Sequence, residues 1–448
     1  MNDFFERIGS LLSSEELEIF KNEYKKTSLR GVRVNTLKCS VDKFLSLCEE
    51  FSLEDATPFC KEGLYIPQSS DLSGNHPLHH AGAVYFQEPS AMSAASVICA
   101  QKGEKVLDLC AAPGGKSTQL ACALAGEGLL WSNEIVRSRA NILLSNIERC
   151  GVSNAVVSCA EPEALCIALQ GVFDKVLVDA PCSGEGMFRR DPDAYNEWSP
   201  EHSDACSVRQ LKILQSAKKA LRPGGIMVYS TCTFSYEENE GVIEKFLDAN
   251  PDFELIDCKE AFGRRTLGGK ACRIYPMDGG EGHFAAKLRK KEDGFSEEFS
   301  SCCQTQPTED KKLPSLVKEF LADTFFDTSA YSRLLLRGDE VYALPKFCPE
   351  LKGTGAIRAG VFVGTVKKNY FEPAHALFMA AKAENIKRIV DLSLQDPRLP
   401  RYLHGEEIPV EGNLKGYTAV AVEGIVTGFG KVSGGMLKNK YPKGLRVL

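Results

Sequence analysis

At 448 residues the chain is too long for one compact core, so two to four domains are expected. Its composition, 43% hydrophobic and 25% charged, is that of a globular protein, and no apolar run approaches the ~18 residues that cross a bilayer. The net charge of −6 speaks against a uniformly basic nucleic-acid binder but not against a local one. Residues 350–448 carry 15 Lys and Arg against 9 Asp and Glu, and after Glu423 no acid remains while Lys431, Lys438, Lys440, Lys443 and Arg446 follow. Such a stretch is either a phosphate-binding face or a solvated basic segment. The N-terminus, MNDFFERIGS, lacks the apolar core of a secretory signal, so a soluble, cytoplasmic protein is expected. The 17 cysteines are scattered with no C-x-x-C pair, which predicts no metal site and thiols that are mostly free and buried in a reducing compartment.

In chain order, residues 1–75 mix helical and strand-like patterns and predict a small α+β unit. LLSSEELEIFKNEY is an amphipathic helix opened by a serine cap, with Glu16 completing a capping box. RGVRVNTLK alternates as a strand, VDKFLSLCEEF returns to the helix period, and DLSGNHPLHH at 71–80 is a loop. A second unit, 76–290, alternates strand and helix from residue 105. KVLDLCA, LLWSNEI, AVVSCA, KVLVDAP and GIMVYSTC are five strands; GKSTQLACALA, VRSRANILLSNIERC (closed by Gly151) and 203–221 are helices. That alternation means a mostly parallel, doubly wound α/β sheet, with FELID and HFAAKLRK as two added edge strands. Residues 291–312 are polar and predict a linker; 313–384 is a middle α+β unit, and 385–448, with YTAVAVEGIVTGFGKV, a small β-rich module.

Doubly wound sheets bind ligands outside the carboxyl ends of their strands. The first such end reads DLCAAPGGKST, in which Gly114 and Gly115 let backbone approach a ligand as a helix starts. It is not a Walker loop, because Cys110 stands where that motif needs its first glycine, and it is not G-x-G-x-x-G. The second end carries Glu134, a carboxylate able to accept from both ribose hydroxyls of a nucleoside. Glu161, after the third strand, could border an adenine, with Glu163 a near competitor.

The fourth and fifth strands each end in a cysteine. Cys182 follows Asp179 and Pro181 and precedes a flexible SGEG loop; Cys232 follows Ser230 and Thr231. In the usual strand order these two strands are neighbours, so both thiols could face one pocket. Any one cysteine among 17 is most simply a buried small hydrophobe; two at strand tips suggest covalent chemistry. A nucleoside cofactor, two thiols and an acid together suit methylation at carbon-5 of cytosine. That carbon becomes nucleophilic only after a thiolate adds to carbon-6, and the base must lie outside any stack.

DLCAAPGGKSTQL, FDKVLVDAPCSGEGMFRRDP and GGIMVYSTCTFSYEENE, in this order, closely resemble the Nol/Nop/Sun family of RNA cytosine-5 methyltransferases, as do RVNTLK upstream and GEGHFAAKLRK downstream. The resemblance covers roughly 30–290 and implies a Rossmann-like class I methyltransferase domain that uses S-adenosyl-L-methionine. It implies Cys232 as the nucleophile, Cys182 as the residue that assists product release, and Asp179 and Lys116 at the junction of cofactor and cytosine. Cys110, Ala111, Ala112, Pro113, Gly114, Gly115 and Lys116 would form the cofactor loop, with Glu134 on the ribose. At Glu161 the family commonly shows Asp near the adenine, so the longer side chain is a departure. AIRAGVFVGTVKKNYFEPAHAL and LKNKYPKGLRVL resemble the bacterial ribosomal branch, the RsmF-like enzymes. That branch implies a middle domain, a terminal PUA-like RNA-binding module, and 16S ribosomal RNA or the small subunit near the decoding region as substrate. It implies no membrane and no obligate protein partner, and it assigns Arg33 and Asn35 to RNA binding. Two alternatives remain at this level: a DNA cytosine-5 methyltransferase, in which Cys182 would carry the covalent bond, and an inactive RNA-binding assembly factor.

Overall fold

The computed structural model describes residues 2–196, 198–259, 262–292 and 304–447. Half of the expected linker at 291–312, residues 293–303, lies outside them, Cys302 and Cys303 included. Among the described residues the largest element is a ten-stranded sheet. Its strands are β1 (Lys105–Asp108), β2 (Leu129–Asn133), β3 (Ala155–Ser158), β4 (Phe173–Asp179), β5 (Leu221–Thr231), β6 (Phe253–Ile256), β7 (Arg264–Thr266), β8 (Ala271–Ile274), β9 (His283–Lys290) and β10 (Ala356–Ala359). The order is β7-β8-β9-β5-β4-β1-β2-β3-β10, with β6 paired to β9. The five strands from β5 to β3 are parallel, and the order reverses between β1 and β4. That reversal is where a doubly wound sheet opens a crevice.

Alternating side chains of these strands feed two cores, as a sheet covered on both faces requires. Leu107, Trp131, Val176, Val178, Met227 and Tyr229 pack under α3 (Pro162–Ala168), α4 (Pro200–Ala220) and α5 (Glu240–Ala249). Val106, Leu130, Leu177 and Val228 pack under α1 (Gly115–Leu124), α2 (Arg137–Arg149) and the short helix Ser93–Ile98.

Several sequence expectations change here. HFAAKLRK is not an edge strand: β9 runs antiparallel to β5 on one side and carries β8 and β6 on the other, which is why its first four residues are all buried. The opposite edge is covered by β10, a strand from beyond the linker that pairs antiparallel with β3. Within 71–80, Pro77–His80 forms one helical turn, with proline at its first position. The capping box forms as expected, with Ser13 Oγ accepting from Glu16 N and Glu16 accepting from Ser13 N at 3.1 Å.

The N-terminal segment also contains a helix that apolar periodicity did not reveal, Asn2–Gly9. Its Phe4 joins Phe20, Phe188, Phe234 and Tyr275 in one aromatic cluster. Phe188 and Phe234 lie just beyond the two cysteine loops, so the N-terminal helices brace both loops from outside. A three-stranded sheet, Gly31–Val34 with Gly63–Tyr65 and Val84–Phe86, docks beside α1. Arg33 and Asn35 are both 1% exposed, so neither can reach RNA. Arg33 donates to Thr118 Oγ1 at 2.7 Å, Gly115 O at 3.1 Å and Gln87 Oε1 at 3.2 Å; Asn35 Nδ2 donates to Gly82 O at 2.7 Å and Cys150 O at 2.9 Å. Their donors are spent on joining this sheet to the central one.

Beyond the linker, a four-stranded sheet (334–373) and a five-stranded sheet (389–439) share a core that includes Val341, Val363, Phe378 and Phe429. The architecture is therefore a Rossmann-like α/β domain with a β-rich C-terminal region. No helix among the described residues is long and apolar enough to cross a membrane.

Candidate active site

β4 and β5 run side by side, so their carboxyl ends open at the same level. Pro181 prevents β4 from continuing, and Cys182 falls in the turn that follows. Cys232 follows the last residue of β5. The two sulfurs stand 3.3 Å apart. Contact with Cys232, and then burial, raise the Cys182 thiol well above its ordinary range, so Cys182 keeps its proton. Either sulfur can donate to the other, and two thiols in contact do not ionise together.

Asp179 closes β4 immediately before this turn. Burial pushes its carboxyl up, but the Lys116 ammonium and His283 oppose this, and the net result is a carboxylate well below the usual range. Lys116 Nζ donates to Asp179 Oδ2 at 2.7 Å, and Ser230 Oγ donates to Asp179 Oδ1 at 2.7 Å. Burial pulls Lys116 down, but the Asp179 charge outweighs it and the ammonium is held. The site thus contains one fixed anion, one fixed cation and a thiol pair.

Buried acids hold the two cysteine loops. Glu238 accepts from Ser183 N at 2.9 Å and from Gln210 Nε2 at 2.8 Å, while Gln210 also donates to Pro181 O at 3.0 Å. Glu185 accepts from Thr233 Oγ1 and Phe234 N, each at 2.9 Å, and from Trp198 Nε1 at 3.0 Å. Gly186 N donates to Cys232 O at 2.9 Å, and a Cβ on Gly186 would stand 2.9 Å from that same oxygen. Only glycine allows the loops to meet this closely. The SGEG segment, expected to be flexible, is tied at Ser183, Glu185 and Gly186.

The thiols face a hollow of about 1110 Å³ at the carboxyl ends of the parallel strands. Cys110, Glu134, Glu161, Asp179, Cys182 and Cys232 all line it, along with Ile135, Val136 and Pro162. Glu134 is 3% exposed, accepts from Val136 N at 2.9 Å and faces Arg139 at 3.5 Å. Among the described residues no group of three or more His, Cys, Asp or Glu could hold a metal ion.

Four family models match the chain. That of the 16S rRNA methyltransferase RsmB/F spans residues 95–289, the N-terminal domain of 16S rRNA methyltransferase RsmF 1–89, the RsmF rRNA methyltransferase first C-terminal domain 319–380, and the methyltransferase RsmF PUA domain 390–447. Ribosomal RNA small subunit methyltransferase F of Aliivibrio salmonicida is 35% identical over 98% of this chain and 95% of its own length. The chain belongs to the 16S rRNA methyltransferase F family. The protein of the same description from Vibrio vulnificus is 33% identical over 99% of this chain and 96% of its own. A solved methyltransferase homolog protein from Pyrococcus horikoshii is 32% identical with a TM-score of 0.54, covering 65% of this chain and 95% of its own.

Within this methyltransferase F family member the sequence-derived residues divide into two groups. Cys110, Ala112, Glu134, Glu161, Asp179, Cys182 and Cys232 meet at one hollow, and Lys116 joins them through Asp179. Ala111, Pro113, Gly114 and Gly115 are not among its lining residues. They shape the bend. Gly114 has φ +113°, and a Cβ there would stand 3.2 Å from Leu143 Cδ1 on α2; at Gly115 it would stand 3.3 Å from Gln87. These glycines make room for neighbouring protein. Glu163 also lines the hollow, but Lys219 Nζ holds it at 3.0 Å.

Sequence reading did not single out Glu185, Glu238 or His283. His283, at the start of β9, is 1% exposed with its Nε2 3.7 Å from Asp179 Oδ1. Burial and the Lys116 charge lower its pKa, so it faces Asp179 as a neutral ring. Among the acids just before and at the start of α5, Glu238 is buried by its pairing across the two loops.

Proposed function

We propose that this protein transfers the methyl group of S-adenosylmethionine to carbon-5 of a cytosine in 16S ribosomal RNA near the decoding region, through an adduct between Cys232 Sγ and carbon-6. The observation that carries the reading is the thiol pair, 3.3 Å apart at neighbouring strand ends, beside an ionised Asp179 held by Lys116. The hollow suits a nucleoside: a buried carboxylate, Glu134, for ribose hydroxyls, apolar Ile135, Val136 and Pro162 for a base, and Glu161 at its edge. When bound there, S-adenosylmethionine supplies an electrophilic methyl group.

The residues then have separate tasks. Cys232 forms the bond to carbon-6, which makes carbon-5 enamine-like. The adduct takes a proton at ring N3. That proton comes from solvent water; Asp179, kept ionised by the Lys116 ammonium, accepts the hydrogen bond from the protonated nitrogen. After methylation solvent water takes the carbon-5 proton, the carbon-5–carbon-6 double bond re-forms as the sulfur–carbon bond breaks and releases the Cys232 thiolate, and N3 returns its proton to solvent. Cys182 keeps a proton 3.3 Å from the departing sulfur and is placed to receive it by hydrogen bonding. The Ser-Thr-Cys setting of Cys232 and the match to an rRNA methyltransferase family support it, rather than Cys182, as the nucleophile.

Bisulfite sequencing of 16S ribosomal RNA from cells with and without the protein tests the product. A protected cytosine that disappears on deletion is expected. Cys232→Ala should abolish methyl incorporation, whereas Cys182→Ala should leave protein on RNA through a denaturing gel. Normal turnover by Cys182→Ala, with no adduct, would overturn the assigned roles.

A further inference from the structure

The bend that carries Lys116 is braced from outside its own domain. Arg33 stands on the strand Gly31–Val34 of the N-terminal sheet, and two of its hydrogen bonds converge on the first turn of α1. Its Nη2 donates to Gly115 O at 3.1 Å and to Thr118 Oγ1 at 2.7 Å. The Thr118 hydroxyl passes the link on, donating to Gly114 O at 2.8 Å. Arg33 Nε donates to Gln87 Oε1 at 3.2 Å, and the Arg33 guanidinium lies 5.8 Å from the centre of the Tyr85 ring. Gln87 and Tyr85 are the side chains that a Cβ on Gly115 would meet, each at 3.3 Å. One guanidinium therefore fixes the backbone at Gly114 and Gly115 together with the wall against which Gly115 sits. Lys116 leaves this turn to meet Asp179, and Cys110 and Ala112, just before it, line the hollow.

Joining two sheets does not by itself call for an arginine here. Among the described residues no carboxylate pairs with Arg33; its partners are a carbonyl, a hydroxyl, an amide, a thiol and a ring. A fully buried cation with only neutral partners is costly. The helix gains nothing from it either, because a positive charge beside the first turn of α1 is opposed by the positive end of the helix dipole. Two residues along, Asn35 makes a joint with a neutral amide, and its Nδ2 reaches Gly82 O and Cys150 O at the end of α2, away from the bend. What the guanidinium supplies and an amide does not is several donors fixed in one plane, able to hold consecutive groups of a turn in a set relation. A binding loop held in shape before its ligand arrives loses less freedom on binding.

We infer that Arg33 is a positioning residue for S-adenosylmethionine: its guanidinium, acting through Thr118, holds the Gly114–Thr118 turn in the shape that receives the cofactor. The N-terminal unit thus acts on the cofactor rather than on RNA through this residue. The inference rests on the reading of Cys110–Lys116 as the cofactor loop and adds what keeps that loop in shape.

The test is calorimetric titration of the full-length protein with S-adenosylmethionine, expressed per folded molecule. Arg33→Met should raise Kd about tenfold, and Arg33→Lys, which keeps the charge without the planar fork, should fall between it and the wild type. Thr118→Val removes only the hydroxyl link and should raise Kd about threefold, which decides the matter even if Arg33→Met does not fold. The double variant Arg33→Met with Thr118→Val should bind no worse than Arg33→Met alone, because both cut one path. Asn35→Ala, which breaks the neighbouring joint, should lower the melting temperature and leave Kd unchanged. A merely structural role for Arg33 would lower the melting temperature in its variants and leave the Kd of the folded molecules at the wild-type value. Gly114→Ala, which strains the bend itself, separates the two readings. A weakened Gly114→Ala beside an unchanged Thr118→Val and unchanged Arg33 variants overturns the role of Arg33 and leaves the cofactor loop standing. An unchanged Kd in Gly114→Ala overturns both.

Discussion

Two largely buried lysines, Lys116 and Lys38, show how differently this fold uses one side chain. Lys116 faces Asp179 at 2.7 Å, and the carboxylate more than offsets burial, so its ammonium is raised. Lys38 faces backbone. Its Nζ donates to Val426 O at 3.0 Å and to Met379 O, and burial pulls its pKa down to about 8. A carbonyl dipole stabilises a buried charge less than a full opposite charge does. One lysine is therefore a fixed charge beside the carboxylate that lines the hollow. The other is a joint, tying the N-terminal unit to the five-stranded C-terminal sheet at Val426 and to the helix His375–Ala380 at Met379, where a Cβ on Gly151 would stand 2.5 Å from Met379 O. RVNTLK, which supplies Arg33, Asn35 and Lys38, belongs wholly to joints.

Three experiments sharpen or break this contrast. The largest effect is expected for Lys116→Met. It strands a partly buried carboxylate, so folding should lose of the order of 3 kcal/mol in chemical denaturation, and methyl transfer should fall at least about 100-fold. In the wild type, ionised Asp179 contributes stability that is full above its unfolded pKa and is lost as pH falls through its lower folded one; in Lys116→Met that window should shrink. Equal activity in wild type and variant would remove Lys116 from the site.

Arg33→Met should cost about 2–3 kcal/mol, because several acceptors lose a charged donor, while RNA affinity per folded molecule stays level. Anisotropy titrations corrected for the folded fraction check this; a specific loss of RNA affinity would break its assignment as a joint. Lys38→Met should change stability least at neutral pH, and its signature is pH dependence. Between pH 8 and about 10.5 the folded wild type has released a proton that the unfolded chain still binds, so wild-type stability relative to the variant should rise with pH, by up to about 1.4 kcal/mol per unit. Denaturation at pH 7.5 and 9.5 measures it; a difference that shrinks with pH would mean that Lys38 is not desolvated at the junction.

Much of the site was legible because its parts are local. Strand runs ended by Pro181 or by Ser230-Thr231, and the glycine bend before Lys116, are short-range patterns, and parallel order made neighbours of the two cysteine tips. What was missed was long-range. β9 looked like an edge because its partners β8 and β6 are short and separated from it by turns, and β10 comes from far along the chain, beyond the linker, to pair with β3. Arg33 looked exposed because an arginine on a short strand usually is; only the docking of that strand against α1 supplies acceptors for its guanidinium.

The sequence by itself determined the alternation of strand and helix, the caps, and which chemical groups stand at the strand ends, because backbone geometry and hydrophobic period act over a few residues. Only the tertiary structure decided that two sulfurs touch, that Glu185 and Glu238 hold their loops, and that the pKa of Lys116 is raised where that of Lys38 is lowered. Charge state and contact depend on what faces a group across the fold, and that partner is set by packing rather than by neighbours in the chain.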